Sequence, residues 1–146
     1  MARALDAAFG DRVWESSHIG GDRFAGNLVC FPHGIYLGRL DPQAGVRAAA
    51  AYQRGSIDLD HYRGRSCYSF VVQAAEALLR RREGLTGVDD LHLVRTIRSG
   101  KVVETTFEGP EGRPLSQSVR VDRAAPPRPL TCHEREPVRP PTYTGL

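Results

Sequence analysis

Asn27-Leu28-Val29-Cys30-Phe31-Pro32-His33-Gly34-Ile35-Tyr36-Leu37-Gly38-Arg39-Leu40-Asp41-Pro42 is the stretch whose reading decides the fold. Two apolar runs flank Pro32-His33-Gly34, a turn with glycine where positive φ is needed, so residues 27–31 and 35–40 are expected as a β-hairpin. The first run is almost continuously apolar, which predicts a strand covered on both faces. Asp41 then supplies an acidic N-cap and Pro42 a first helical residue with a preset φ. A helix is expected from there to about Arg54, stopping at Gly55, with Val46, Ala49, Ala50 and Gln53 on one side.

Upstream, residues 2–9 place Ala2, Leu5, Ala8 and Phe9 on one helical stripe, and Gly10 is the expected stop. Arg12-Val13-Trp14-Glu15 is expected as a short strand leading into a glycine-containing loop. The order up to Gly55 is then helix, strand, loop, strand, strand, helix. That is the later part of a thioredoxin-like arrangement whose first strand, and the start of whose first helix, are missing; such a gap leaves an exposed sheet edge.

Downstream, Ser56 to Ser66 is expected as a connector. Residues 67–82 form the strongest helical pattern, with Phe70, Val71, Ala74, Ala75 and Leu78 facing a core. Arg80-Arg81-Arg82 fall in its last turn, where cations complement the helix dipole, and Gly84 ends it. From Leu91 the period changes to two: Leu91, Leu93 and Ile97, then Val103, Thr105 and Phe107, then Leu115, Val119 and Val121. Turns at Ser99-Gly100 and Gly109-Pro110-Glu111-Gly112 separate the runs, which predicts a three-stranded antiparallel meander. Residues 126–146 are proline-rich and are expected as an extended tail. The expected fold class is therefore α+β or α/β: a partial thioredoxin-like portion over 1–55, a helix plus meander over 56–125, and the tail.

A chain of 146 residues with 40% hydrophobic content is long enough for one globular domain or two small halves. Twenty basic against 17 acidic residues leave a net charge of +3 that is spread along the chain, which argues against a nucleic-acid footprint. No apolar run approaches the ~20 residues of a membrane span, and no secretory leader pattern opens the chain, so a cytoplasmic protein is expected. Cys30, Cys67 and Cys132 are widely spaced and include no Cys-x-x-Cys, so reduced, mostly buried thiols are expected.

His18-Ile19-Gly20-Gly21-Asp22 puts a ring nitrogen and a carboxylate four residues apart around two glycines that let backbone pass close to a bound group. Both side chains can reach one metal ion or cluster. The plainer alternative is a glycine-rich turn with a solvated Asp22 and a His18 that bonds nearby backbone.

The run from Val13-Trp14-Glu15-Ser16-Ser17-His18 through Asp22-Arg23-Phe24-Ala25-Gly26-Asn27-Leu28, followed by Pro32-His33-Gly34-Ile35-Tyr36-Leu37-Gly38-Arg39-Leu40, resembles the sucrase/ferredoxin-like family. These are thioredoxin-like ferredoxins common in actinobacteria. The similarity continues through Tyr62-Arg63-Gly64-Arg65-Ser66, Val72-Gln73-Ala74-Ala75-Glu76 and Leu130-Thr131-Cys132. The resemblance implies an electron-transfer protein with a [2Fe-2S] cluster held by cysteines from a segment before the first helix and by the histidines of a His-x-Gly-Gly-His motif. His18 matches the first of those histidines and Asp22 stands in the place of the second, with Gly20 and Gly21 between them. A carboxylate there adds negative charge and is a harder ligand, or it orients His18 from behind. The cysteine-bearing segment is missing from this chain, so the cluster is expected only if those ligands are supplied.

The expected partners are a redox protein or a complementary N-terminal chain, and a homo-oligomer is possible; no nucleic acid and no membrane are expected. The alternative reading is a cluster-free interaction or scaffold module that pairs through the exposed sheet edge. A zinc site using His18, Asp22 and a cysteine matches no familiar spacing. A hydrolase is disfavoured because neither paired carboxylates nor a Gly-x-Ser-x-Gly turn is present. Arg23, Arg39, Arg63 and Arg65 can place positive charge near the loop, favouring a reduced cluster or an acidic partner; surface solvation and backbone hydrogen bonds account for them equally well.

Overall fold

The computed structural model describes residues 1–123, 125–127 and 137–146. They divide into two compact units, Met1–Cys67 with Thr86–Val88, and Tyr68–Leu85 with Asp89–Leu146. Each unit has one antiparallel sheet, so the chain is α+β.

The first unit begins with α1 (Ala2–Phe9), which ends at Gly10 with φ 60°. A single 3-10 turn, Gly10–Arg12, follows. The expected strand at Arg12–Glu15 is not formed, since among the described residues no strand lies alongside to pair with it; Trp14 is 90% exposed. The hairpin is formed: β1 (Leu28–Cys30) pairs with β2 (Ile35–Leu37), Cys30 opposite Ile35, around a turn in which Gly34 has φ 61°. Coverage of the first strand on both faces is not found. β1 is an edge strand of three residues, and Phe31 beyond it is 76% exposed.

β2 ends at Leu37 because Gly38 and Arg39 turn the chain, Arg39 with φ 62°. The other side of β2 is taken by β3 (Tyr62–Arg65), within the stretch expected as a connector. Gly64 (φ 125°) and a register shift between Tyr36 and Leu37 break the alternation that would have marked it.

In α2 (Pro42–Gln53) the Asp41 carboxylate accepts from the Ala44 N–H at 2.7 Å, with Pro42 in the first turn. That backbone hydrogen bond also holds the Asp41 carboxyl below its ordinary pKa. The buried face is Ala44, Gly45 and Ala48 rather than Val46, Ala49, Ala50 and Gln53. Small residues win there because α1 packs against α2, and a Cβ at Gly45 would stand 3.0 Å from Met1 Cγ. Leu5, Ile35, Leu37, Leu40 and Tyr62 are buried in this unit.

The second unit opens with α3 (Phe70–Glu83), closed by Gly84 in the left-handed region, whose N–H donates to the Arg80 carbonyl. Its buried residues are Val72, Ala75, Glu76, Leu79 and Arg80, while Phe70, expected inside, is exposed. Hydropathy misplaced this face because two of its members are charged. Arg80 Nε donates to Glu76 Oε1 at 3.0 Å with both side chains fully buried, and Arg80 also donates to the Leu85 carbonyl at 3.2 Å. Arg82 donates to Gln117 Oε1 at 2.8 Å and to the Ser116 carbonyl, so the arginine run is structural.

The sheet has four strands rather than three, in the order β4 (His92–Ser99), β5 (Val102–Glu108), β6 (Pro114–Asp122), β7 (Thr142–Gly145). β7 comes from the end of the expected tail and pairs with β6 from Val119 opposite Gly145 to Asp122 opposite Thr142. Val103, Thr105 and Phe107 are buried as expected, and Phe107 joins Leu91, Leu115 and Val119 in a core with Val72, Ala75 and Leu79 of α3. β4 departs from expectation: Leu93 and Ile97 are exposed, as is every other residue of the strand.

Candidate functional site

The His18 to Asp22 loop is shaped by its glycines and anchored by side chains from the hairpin. Gly20 and Gly21 have φ 79° and 73°, a region that costs other residues. The Asn27 amide donates to the carbonyls of Gly20 and Gly21 at 3.2 and 3.0 Å, and the Tyr36 hydroxyl donates to the Ile19 carbonyl at 3.3 Å. A 3-10 turn, Asp22–Phe24, follows, with the Phe24 N–H donating to the Gly21 carbonyl. Folded this way, the loop brings the two candidate ligands together: His18 Nδ1 lies 3.3 Å from Asp22 Oδ1, both side chains about half exposed.

His18 and Asp22 provide two donors and no more. Among the described residues no group of three or more histidines, cysteines or carboxylates is placed to hold a metal ion. Cys30 is buried on β1, and its burial pushes the thiol up to about 11, so it stays a protonated thiol at neutral pH. Cys67, expected to be buried, is exposed, because it lies beyond the end of β3. Cys132 and His133 lie outside the described residues. His33, in the hairpin turn, bonds the Tyr52 hydroxyl through Nδ1 at 2.6 Å.

Behind the loop, Phe24 carries three guanidiniums. The central carbons of Arg63, Arg23 and Arg39 lie 3.0, 4.6 and 5.4 Å from its ring centre. Burial, and then the neighbouring charges of Arg23 and Arg39, lower the Arg63 pKa to about 10. The fourth arginine named from the sequence behaves differently: Arg65 is buried and donates to the Val88 carbonyl. Arg39 is held in place by its own backbone, its N–H donating to the Phe24 carbonyl at 2.6 Å. A Cβ at Gly38 beside it would be tight, 3.0 Å from Asn27 Oδ1 and 3.1 Å from the Phe24 carbonyl oxygen.

On the outer side of β1 an open cleft of about 970 Å3 runs between that strand, α1 and residues 13–16. Leu5, Phe9, Val13, Leu28 and Val29 line it, and the exposed Trp14 and Phe31 stand at its margin. β1 pairs only with β2, so its other edge lacks a ladder partner among the described residues, and Leu28, Val29 and Cys30 line this cleft. Trp14 carried a sequence signal, as the chain's single tryptophan, but its expected place in a strand hid its exposure.

Comparison with protein-family models, with curated proteins and with solved structures finds no match to this chain.

Proposed function

We propose that the first unit receives an extended apolar segment of another polypeptide, which pairs with the open edge of β1 and buries its side chains beside Trp14 and Phe31. The observation that carries this reading is the coincidence of a strand edge unpaired among the described residues with a mainly apolar cleft, which Asp11, Arg12 and Glu15 also line. An added strand gains main-chain hydrogen bonds from the edge and specificity from alternate side chains. Isolated exposed aromatics are ordinary; two of them bordering a cleft beside a free edge form a recognisable surface. The reading fits a thioredoxin-like sheet in which the incoming segment takes the position of a first strand.

Trp14 is the only tryptophan, so its emission reports on this cleft alone. A lysine-flanked Val-Ile-Val-Ile-Val peptide is expected to shift that emission saturably to shorter wavelength, and Val29→Lys is expected to weaken the binding at least ~10-fold by charging the edge. No shift, or a shift indifferent to Val29→Lys, sinks the reading. Sedimentation of the chain alone tells whether a second copy can be the donor.

A second reading, electron transfer of the sucrase/ferredoxin-like type, is supported by the His18–Asp22 pair in its anchored glycine loop. In it the incoming segment brings thiolates, and the cluster, when bound, supplies one-electron chemistry. The chain's own part is to present His18 Nε2 while Asp22 orients the ring from Nδ1. Iron and sulfide content with a visible spectrum, measured on the chain alone and on a form extended upstream of Met1, is expected to show a cluster in the extended form only, lost in His18→Ala. A colourless, iron-free extended form leaves the strand-receiving module as the sole reading.

A further inference from the structure

Arg23, Arg39 and Arg63 have no role in the strand-receiving cleft, and their arrangement around Phe24 is costly. All three central carbons lie within 5.4 Å of one ring centre, inside the ~8 Å over which physiological salt screens charge. None of the three guanidiniums bonds a carboxylate among the described residues, and the neighbouring Asp22 faces His18 instead. Elsewhere the chain treats buried or clustered arginines otherwise: Arg65, Arg80 and Arg82 each meet a carbonyl or carboxylate oxygen.

We propose that Arg23, Arg39 and Arg63 form a binding site for a small phosphate-bearing molecule, with Phe24 as the platform that holds the three guanidiniums. Stacking on the ring leaves the planar edge of a guanidinium available, and that fork of N–H donors matches phosphoryl oxygens in pairs. Burial is the first cause of the lowered Arg63 pKa and repulsion from Arg23 and Arg39 the second, and a bound phosphate offsets that repulsion. Arg39 adds an independent observation: it has φ 62°, a conformation that favours glycine, and yet an arginine is placed there beside Phe24. A compact ligand is favoured over nucleic acid because the charge converges on one ring instead of extending along a face.

Titration calorimetry with inorganic pyrophosphate at low salt tests the site. One equivalent is expected to bind saturably, and Arg23→Gln and Arg39→Gly are each expected to weaken binding about tenfold or more. Glycine suits the backbone at position 39, so Arg39→Gly is expected to melt no lower than the parent while it loses the ligand. Arg23 is exposed at the surface, which keeps the test decisive should the position-39 variant unfold. The proposal is overturned if pyrophosphate does not bind saturably, or if binding is indifferent to both substitutions. It is also overturned if a single-stranded oligonucleotide binds and pyrophosphate fails to compete, since the surface then takes nucleic acid.

Discussion

Arg80→Met is expected to lower the unfolding free energy of the second unit by about 3–5 kcal/mol, the cost typical of removing one partner of a buried ion pair. Arg80 and Glu76 are both fully buried, one helical turn apart on α3, and their contact is 3.0 Å. The substitution leaves the Glu76 carboxylate in the interior without its counter-charge and removes the donor to the Leu85 carbonyl. Replacing both residues, Glu76→Leu with Arg80→Met, is expected to recover most of the loss, because packed apolar side chains of similar volume avoid the desolvation cost altogether. Urea titrations followed by amide exchange in β5 and β6 measure both. A loss below ~1 kcal/mol for the single variant would show the pair to be solvated and the account wrong.

Leu37→Ala is expected to cost about 2–5 kcal/mol, the range for emptying a well-packed leucine site. Leu37 is almost completely buried in β2, opposite Leu28 on one side and Tyr62 on the other. It therefore joins the edge strand of the cleft to the strand that carries Arg63. Urea titrations followed by amide exchange in β2 and β3 read the stability, and the same protein titrated with pyrophosphate reads the arginine site. Both are expected to fail together in the variant, whereas Arg39→Gly removes only the second. A Leu37→Ala protein that unfolds at the parent's urea midpoint would mean that the first unit's core lies elsewhere.

Local chemistry makes several elements legible in the sequence alone. The Asp41 cap with Pro42, the glycine turn at Gly34, the stop at Gly84 and the inward alternation of β5 each rest on a backbone or packing rule that acts over a few residues. The elements that are not legible depend on partners distant in sequence. Tyr62–Arg65 becomes a strand only because β2 offers it an edge, and Thr142–Gly145 only because β6 does. The inner face of α3 is hidden because Glu76 and Arg80 cancel each other's charge in the interior, which hydropathy cannot register. Within the candidate site, His18, Asp22 and three of the arginines can be named from the sequence. The ring that gathers those arginines cannot, since Phe24 is an ordinary aromatic until Arg39 and Arg63 fold onto it.

The two sheets leave open edges of opposite character. β4 presents Arg95 and Arg98 among the exposed Leu93, Val94 and Ile97, so a strand that arrives there meets two positive charges. Leu28, Val29 and Cys30 of β1 carry no charge at all. On the proposed reading the two edges sort encounters before any specific contact forms: charge opposes pairing at the second sheet, and an extended apolar visitor is retained at the first.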